Sequence, residues 1–233
     1  MIRQLLIIVF GFFAISCNSQ NDLKDHFIMT WDTRNEGYGD STQILLPLQG
    51  KYSIKWQEVD DSENDGVIEN CVDNVIINFP KPGKYKLEVS GLLNTMNFAE
   101  YTIDGIAQPN YNNKDYKFIS VDQWGNTIWQ SFESFFLRCQ NIKIQALDTP
   151  NLTQVTSFEQ AFCYASNFNS SLEKWDMSNV KNMSYMFYEA STFNQPLNSW
   201  KLDNLENMNS MFAHATNFNQ PLEKWNVSKV NSM

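Results

Sequence analysis

A period of 25 residues governs the C-terminal third of the chain. Trp175, Trp200 and Trp225 recur at that spacing, as do Phe168, Phe193 and Phe218, and Leu172, Leu197 and Leu222. Residues 175–199 and 200–224 share twelve identities over twenty-five aligned positions. Among them are Asn182 with Asn207 and the run Phe193-Asn194-Gln195-Pro196-Leu197 with Phe218-Asn219-Gln220-Pro221-Leu222. A unit this short cannot bury an apolar face alone, so the units must stack and equivalent side chains must line up. That predicts ladders of Trp175, Trp200 and Trp225, of Phe162, Phe187 and Phe212, of Phe168, Phe193 and Phe218, and of Met183 with Met208. The tryptophan row has an alternative use as a platform for sugar rings, which would need solvent-exposed faces; burial of such large rings is the simpler expectation.

Met183, Met186, Phe187 and Ala190, then Met208, Met211, Phe212 and Ala215, follow an i, i+3, i+4, i+7 spacing. This spacing predicts a short amphipathic helix in each unit. The same frame runs back through Phe158, Ala161, Phe162 and Ala165 and, one residue longer, through Phe132, Phe135, Phe136 and Cys139, which puts the start of the array near Phe118. A Phe-Asn turn follows each helix, then an apolar-polar alternation such as Leu197 to Leu202, read as a short strand. Cys139 falls in the small slot held by Ala165, Ala190 and Ala215, whereas Cys163 falls one residue past the Phe slot, so a bond between them is not expected. Cys71 has no visible partner. Function on such an array belongs to outward positions that vary between units: Tyr185 and Ser210, Tyr188 and Ala213, Glu189 and His214, Asp176 and Lys201.

The first residues read as an address. Arg3 precedes an apolar run of eleven residues from Leu5 to Ile15, and Ala14-Ile15-Ser16 leads into Cys17. At 1.5 Å per residue the run spans about 16 Å of helix, roughly half of a ~30 Å hydrocarbon core, too short for a spanning anchor. Ala14-Ile15-Ser16-Cys17 resembles a bacterial lipobox, with Ala14 where leucine is usual; the resemblance implies cleavage before Cys17 and lipidation of that residue. An ordinary secretory peptide is the alternative.

Between tether and repeats the chain alternates with period two in Tyr52-Ile54-Trp56 and Tyr85-Leu87-Val89, punctuated by Gly50, Pro80, Pro82-Gly83 and Gly91. This predicts a small β-sandwich. The segment Asp61-Ser62-Glu63-Asn64-Asp65-Gly66 partly follows a calcium-loop pattern, but Glu63 stands where Asp or Asn is needed and Val72 where a bidentate glutamate is. A solvated acidic hairpin loop is expected, with at most an adventitious Ca²⁺ contact.

Composition removes several function classes. Lysine and arginine total 17 against 26 acids, a net charge of -9, which disfavours nucleic acid. Two histidines, His26 and His214, and four cysteines leave little for a metal cluster, a cofactor or a histidine-based triad. The 28 asparagines suit a chain rich in tight turns.

The phrases Trp175-Asp176-Met177-Ser178-Asn179-Val180-Lys181-Asn182-Met183-Ser184-Tyr185-Met186-Phe187 and Phe193-Asn194-Gln195-Pro196-Leu197 resemble BspA-type leucine-rich repeat surface proteins. Lys81-Pro82-Gly83-Lys84-Tyr85-Lys86-Leu87-Glu88-Val89-Ser90 resembles a strand pair of PKD-type domains. These resemblances imply a right-handed leucine-rich-repeat-like solenoid and a role in adhesion, with no catalytic residue. The expectation is an α+β protein: a signal peptide at 1–16, a tether at 17–26, a PKD-like β-sandwich at 27–117, and a solenoid of 25-residue coils at 118–233. Val230-Asn231-Ser232-Met233 aligns with Leu205-Glu206-Asn207-Met208, which suggests a truncated array. The expected product is a non-enzymatic, exported lipoprotein of the outer membrane or cell surface, touching the membrane only through its anchor. It would bind a protein partner, or alternatively a glycan.

Overall fold

The computed structural model describes residues 23–103, 106–109 and 115–233. The signal segment and Cys17 lie outside the described residues. The described residues form ten strands: β1 (Phe27–Asp32), β2 (Gln43–Leu46), β3 (Leu48–Glu58), β4 (Asp61–Val72), β5 (Val75–Asn78), β6 (Lys84–Met96), β7 (Glu100–Ile103), β8 (Ile106–Pro109), β9 (Phe118–Gln123) and β10 (Lys143–Ile144). Six form one open sheet in the order β10-β9-β1-β6-β3-β4, while β2-β5 and β7-β8 form separate two-stranded sheets.

The alternation of β3 and β6 sets the inner face of the large sheet. Tyr52, Ile54 and Trp56 are buried while Lys51, Lys55 and Gln57 are exposed; Tyr85, Leu87 and Val89 point the same way from β6. Ile44, Leu46 and Ile77 of the β2-β5 pair join that core. Just beyond β5, Phe79 stacks on Tyr85 at 3.9 Å and meets Trp56 edge-on at 5.4 Å. Gly50 and Gly91 sit at and beside the register shift between the paired strands β3 and β6; a Cβ on Gly91, at φ 135, would come within 2.5 Å of the Lys51 carbonyl oxygen. Ahead of β9, the buried Lys117 ammonium donates to the carbonyl oxygens of Tyr38 (2.7 Å), Asp40 (2.6 Å) and Gln43 (2.8 Å), which holds the β1–β2 connection down.

β9 carries the chain from sheet to repeats, since it pairs antiparallel with β1 and parallel with β10. Aromatic rings pack the junction. Trp124 lies 5.7 Å from Phe27 and 5.4 Å from Trp175, and Phe132 stacks on Phe158 at 4.8 Å.

The repeats correct the expected class. Among the described residues there is no α-helix: beyond one 3-10 turn at Leu23–Asp25 they form strands, turns, bends and irregular backbone; the α+β assignment and the leucine-rich-repeat-like solenoid with a helix in each coil do not hold. The segment from Met183 to Ala190 is a ribbon of turns in which alternate N–H groups do different work. Met183, Tyr185, Phe187 and Glu189 donate to Asn207, Asn209, Met211 and Ala213 of the next unit, at 2.8–3.0 Å. Met186, Tyr188 and Ala190 donate back three residues within their own unit, at 3.1–3.2 Å. A helix would turn the N–H groups beyond its first turn back onto its own carbonyls; here half of the donors bind neighbouring units together. The same alternation recurs from Phe132 to Cys139 and from Phe158 to Ala165. Leu197 to Leu202 is also not a strand. It is turn and irregular backbone; the strand-like pairing of the repeats falls elsewhere in each unit, at isolated parallel bridges from Ser157 to Asn182, Asn182 to Asn207 and Asn207 to Ser232.

The motif Phe-Asn-Gln-Pro-Leu is explained by the same stacking. Asn169 Oδ1 accepts the Asn194 main-chain N–H (2.9 Å) and Gln195 Nε2 (3.1 Å), and Asn194 Oδ1 does the same for Asn219 and Gln220. The indole N–H of Trp200 donates to the Leu172 carbonyl and that of Trp225 to Leu197.

Two outcomes check this architecture. Phe187→Ala, which empties the space between Phe162, Phe193 and Phe212, is expected to lower unfolding free energy by about 3–5 kcal/mol in denaturant titrations. Lys117→Met removes the ammonium donor shared by the Tyr38, Asp40 and Gln43 carbonyls and is expected to cost about 1–3 kcal/mol; a loss within experimental error would mean that the ammonium is not what holds the β1–β2 connection.

Candidate functional site

Each ribbon of turns carries two residues in the left-handed backbone region: Ser134 and Arg138, Gln160 and Tyr164, Tyr185 and Glu189, Ser210 and His214, with φ between 52° and 63°. Reversing φ there is what lets alternate N–H groups point along the stack. Glycine or asparagine takes this conformation with least cost, whereas other side chains pay roughly 1–2 kcal/mol each. The chain has 28 asparagines and uses none of them at these eight positions. Tyrosine, arginine, histidine, glutamate, glutamine and serine stand there instead. Tyr164 and His214 are exposed; Arg138, Gln160, Tyr185, Glu189 and Ser210 are partly so, and Ser134 is buried.

Four of these residues, Arg138, Tyr164, Tyr185 and His214, are joined with Tyr188 in a chain of contacts across four successive units. The Arg138 guanidinium lies over the Tyr164 ring at 5.5 Å. Tyr164 meets Tyr188 edge-on at 5.4 Å, and Tyr188 meets Tyr185 at 5.8 Å and His214 at 5.4 Å. The three interplanar angles lie between 64° and 82°, so the rings interlock in place of lying in a common plane. Tyrosine, arginine and histidine around partly exposed rings are the side chains that supply contact area at low entropic cost in protein interfaces.

The residues expected as ladders face inward, buried except for Met208, Phe212 and Phe218, which are partly buried. Phe162, Phe187 and Phe212 stack at 5.5 and 5.6 Å, and Phe168, Phe193 and Phe218 at 5.7 and 5.8 Å. Trp200 stacks on Trp225 at 6.1 Å, while Trp175 turns edge-on to Trp124 and Phe132. Exposures of 5%, 3% and 9% for Trp175, Trp200 and Trp225 leave no faces for sugar stacking. Met183 is buried and Met208 half-buried. Outward Tyr185, Tyr188, Glu189 and His214 were legible as variable positions, but Arg138 and Tyr164 were not singled out; the signal that could have found them is their register with Glu189 and His214.

Other chemistry is disfavoured by the local environments. Burial pushes the Cys163 thiol up to about 12 and raises those of Cys71 and Cys139, so none of the three is a ready thiolate. The acidic segment expected as a hairpin loop is part of a strand instead, because Asp61, Asp65 to Ile68, Cys71 and Val72 pair with β3, with register shifts that leave Ser62 to Asn64 without a partner on it; Asp61 faces Lys81 at 3.2 Å. Among the described residues no group of three His, Cys, Asp or Glu could hold a metal ion.

Asp115 is the most perturbed carboxyl. Burial raises it from 3.8 to about 6, against the pull of the Lys117 and Phe118 N–H groups that its Oδ1 accepts. Folding therefore favours its protonated form: the stabilisation is complete below pH 3.8 and is lost as pH rises through about 6. Asp115→Asn keeps an acceptor and cannot ionise, so its stability relative to the native chain is expected to climb between these pH values and then level off in urea titrations. At the ribbon, Ser210→Gly is expected to gain about 1 kcal/mol and Ser210→Val to lose at least as much; equal stability for both would show that the left-handed backbone carries no strain.

Comparison with known proteins gives one likeness. Residues 130–233, somewhat under half of the chain and coinciding with the stacked repeats, match the family described as Mycoplasma protein of unknown function, DUF285. No curated protein and no solved structure matches the chain.

Proposed function

We propose that this chain is a protein-binding surface module whose repeats present the Arg138, Tyr164, Tyr185, Tyr188 and His214 face to a protein partner. The observation that carries this reading is backbone cost. Large side chains occupy left-handed positions that glycine or asparagine would fill more stably, and strain of this kind is characteristic of sites kept for function. The export signal and lipobox-like Cys17 read from the sequence support display outside the cytoplasm, on a lipid anchor. The crossed tyrosine rings favour a protein over a glycan, since a sugar platform uses coplanar exposed faces.

The test is a trade-off. The chain from residue 18 onward would be screened against purified matrix and cell-surface proteins, with a glycan array in parallel. Tyr164→Asn is expected to raise the thermal midpoint, because asparagine relieves the backbone, while weakening protein capture by about tenfold or more. Capture unchanged in Tyr164→Asn and in Tyr188→Ala would remove this face from the function. Binding confined to glycans would replace the reading.

A further inference from the structure

Strand β4 is the outermost strand of the large sheet, and among the described residues nothing pairs with the side turned away from β3. It runs for 12 residues, whereas β10 at the opposite edge has 2. A long open edge is a template for pairing with another chain, and native sheets guard such edges by shortening, covering, charging or bulging them. β4 is charged and bulged. Asp61, Glu63, Asp65 and Glu69 lie along it, and the register with β3 shifts beside Ser53, where Asn70 sits at φ 56.

The kind of guard selects a partner. Lys81 engages Asp61, but Glu63, Asp65 and Glu69 have no ion-pair partner among the described residues. A second copy of β4 laid alongside would set carboxylates against carboxylates, and like charges directly opposite destabilise a strand pair. A basic extended segment meets no such barrier. Val67 and Val72, 58% and 60% exposed, offer aliphatic contacts among the acids, and no proline interrupts the strand.

We propose that β4 is a strand-addition site: a basic, extended segment of a partner protein adds beside it as a further strand of the sheet. Main-chain hydrogen bonds along β4 supply affinity, and Glu63, Asp65 and Glu69 select lysine or arginine at alternating positions. This site is independent of the tyrosine face on the repeats.

The probe is a synthetic peptide about ten residues long, the length of a long strand, alternating Lys and Val, followed by fluorescence anisotropy on the full chain. Two versions carry N-methyl groups on alternate amides, one set for each edge of the peptide, and a third replaces Lys by Glu. Binding is expected for the Lys-Val peptide, with a loss of about tenfold or more when one set of amides is methylated and little change for the other, because only one edge pairs. The Glu peptide should not bind, and Asp65→Lys with Glu69→Lys, both at exposed positions, should reverse that preference. The proposal is overturned by absence of binding, by equal effects of the two methylation sets, or by indifference to charge reversal. It is also overturned by a dimer of the chain that competes with the peptide, which would assign the edge to a second copy.

Discussion

The structure depends on main-chain hydrogen bonds that run between repeats at every second residue of the turn ribbons. They convert a segment without a single regular helix into a cooperative stack, since each unit satisfies half of its ribbon donors only when the next unit is in place. Everything inside follows from that registration. Phenylalanines separated by 25 residues are brought to 5.5–5.8 Å, parallel within 12°, because the backbones that carry them are already locked in parallel. Ring stacking and burial then supply the favourable energy that the hydrogen-bond ladder alone, exchanging water for carbonyl, does not.

The same ladder explains where outward chemistry sits. Left-handed residues are required at two points of each ribbon to aim alternate N–H groups along the stack, and at most of them the side chains emerge toward solvent, one above another. A column such as Arg138, Tyr164, Glu189 and His214 is therefore a by-product of main-chain geometry that any side chain could occupy at a cost. The open sheet offers a contrasting surface: an outer face that carries Lys51, Lys55 and Lys86, and at β4 an acidic edge whose main chain is paired on one side. The two surfaces recognise by different physics, side-chain contact area in one case and backbone pairing in the other.

Much of the interior was legible in the sequence. Side-chain identity at a 25-residue period depends on stacking alone, so the phenylalanine ladders and the Trp200–Trp225 stack could be named without knowing the path of the chain between them, whereas Trp175, expected in the same row, turns edge-on to Trp124 and Phe132. Period-two alternation likewise located the inner faces of β3 and β6. The helix reading failed because i, i+3, i+4, i+7 spacing records only which residues face inward, and a ribbon of turns with alternating hydrogen bonds turns Met183, Met186, Phe187 and Ala190 inward just as a helix would. The acidic segment misled for a related reason. Asp61 to Gly66 has a loop's composition, yet as an edge strand with an exposed outer face it has nothing to bury and pairs through its backbone.

What the sequence determined by itself was the repeat length, the identity of the buried ladders and the excess of negative charge, because these are properties of spacing and composition. What only the tertiary structure decided was the partner of each main-chain donor. Whether a given N–H bonds within its own unit or to the unit 25 residues away depends on a neighbour that local preference cannot see. That choice made the repeats turn ribbons in place of helices, set Tyr164 and His214 at strained outward positions, and left β4 at the margin of the sheet.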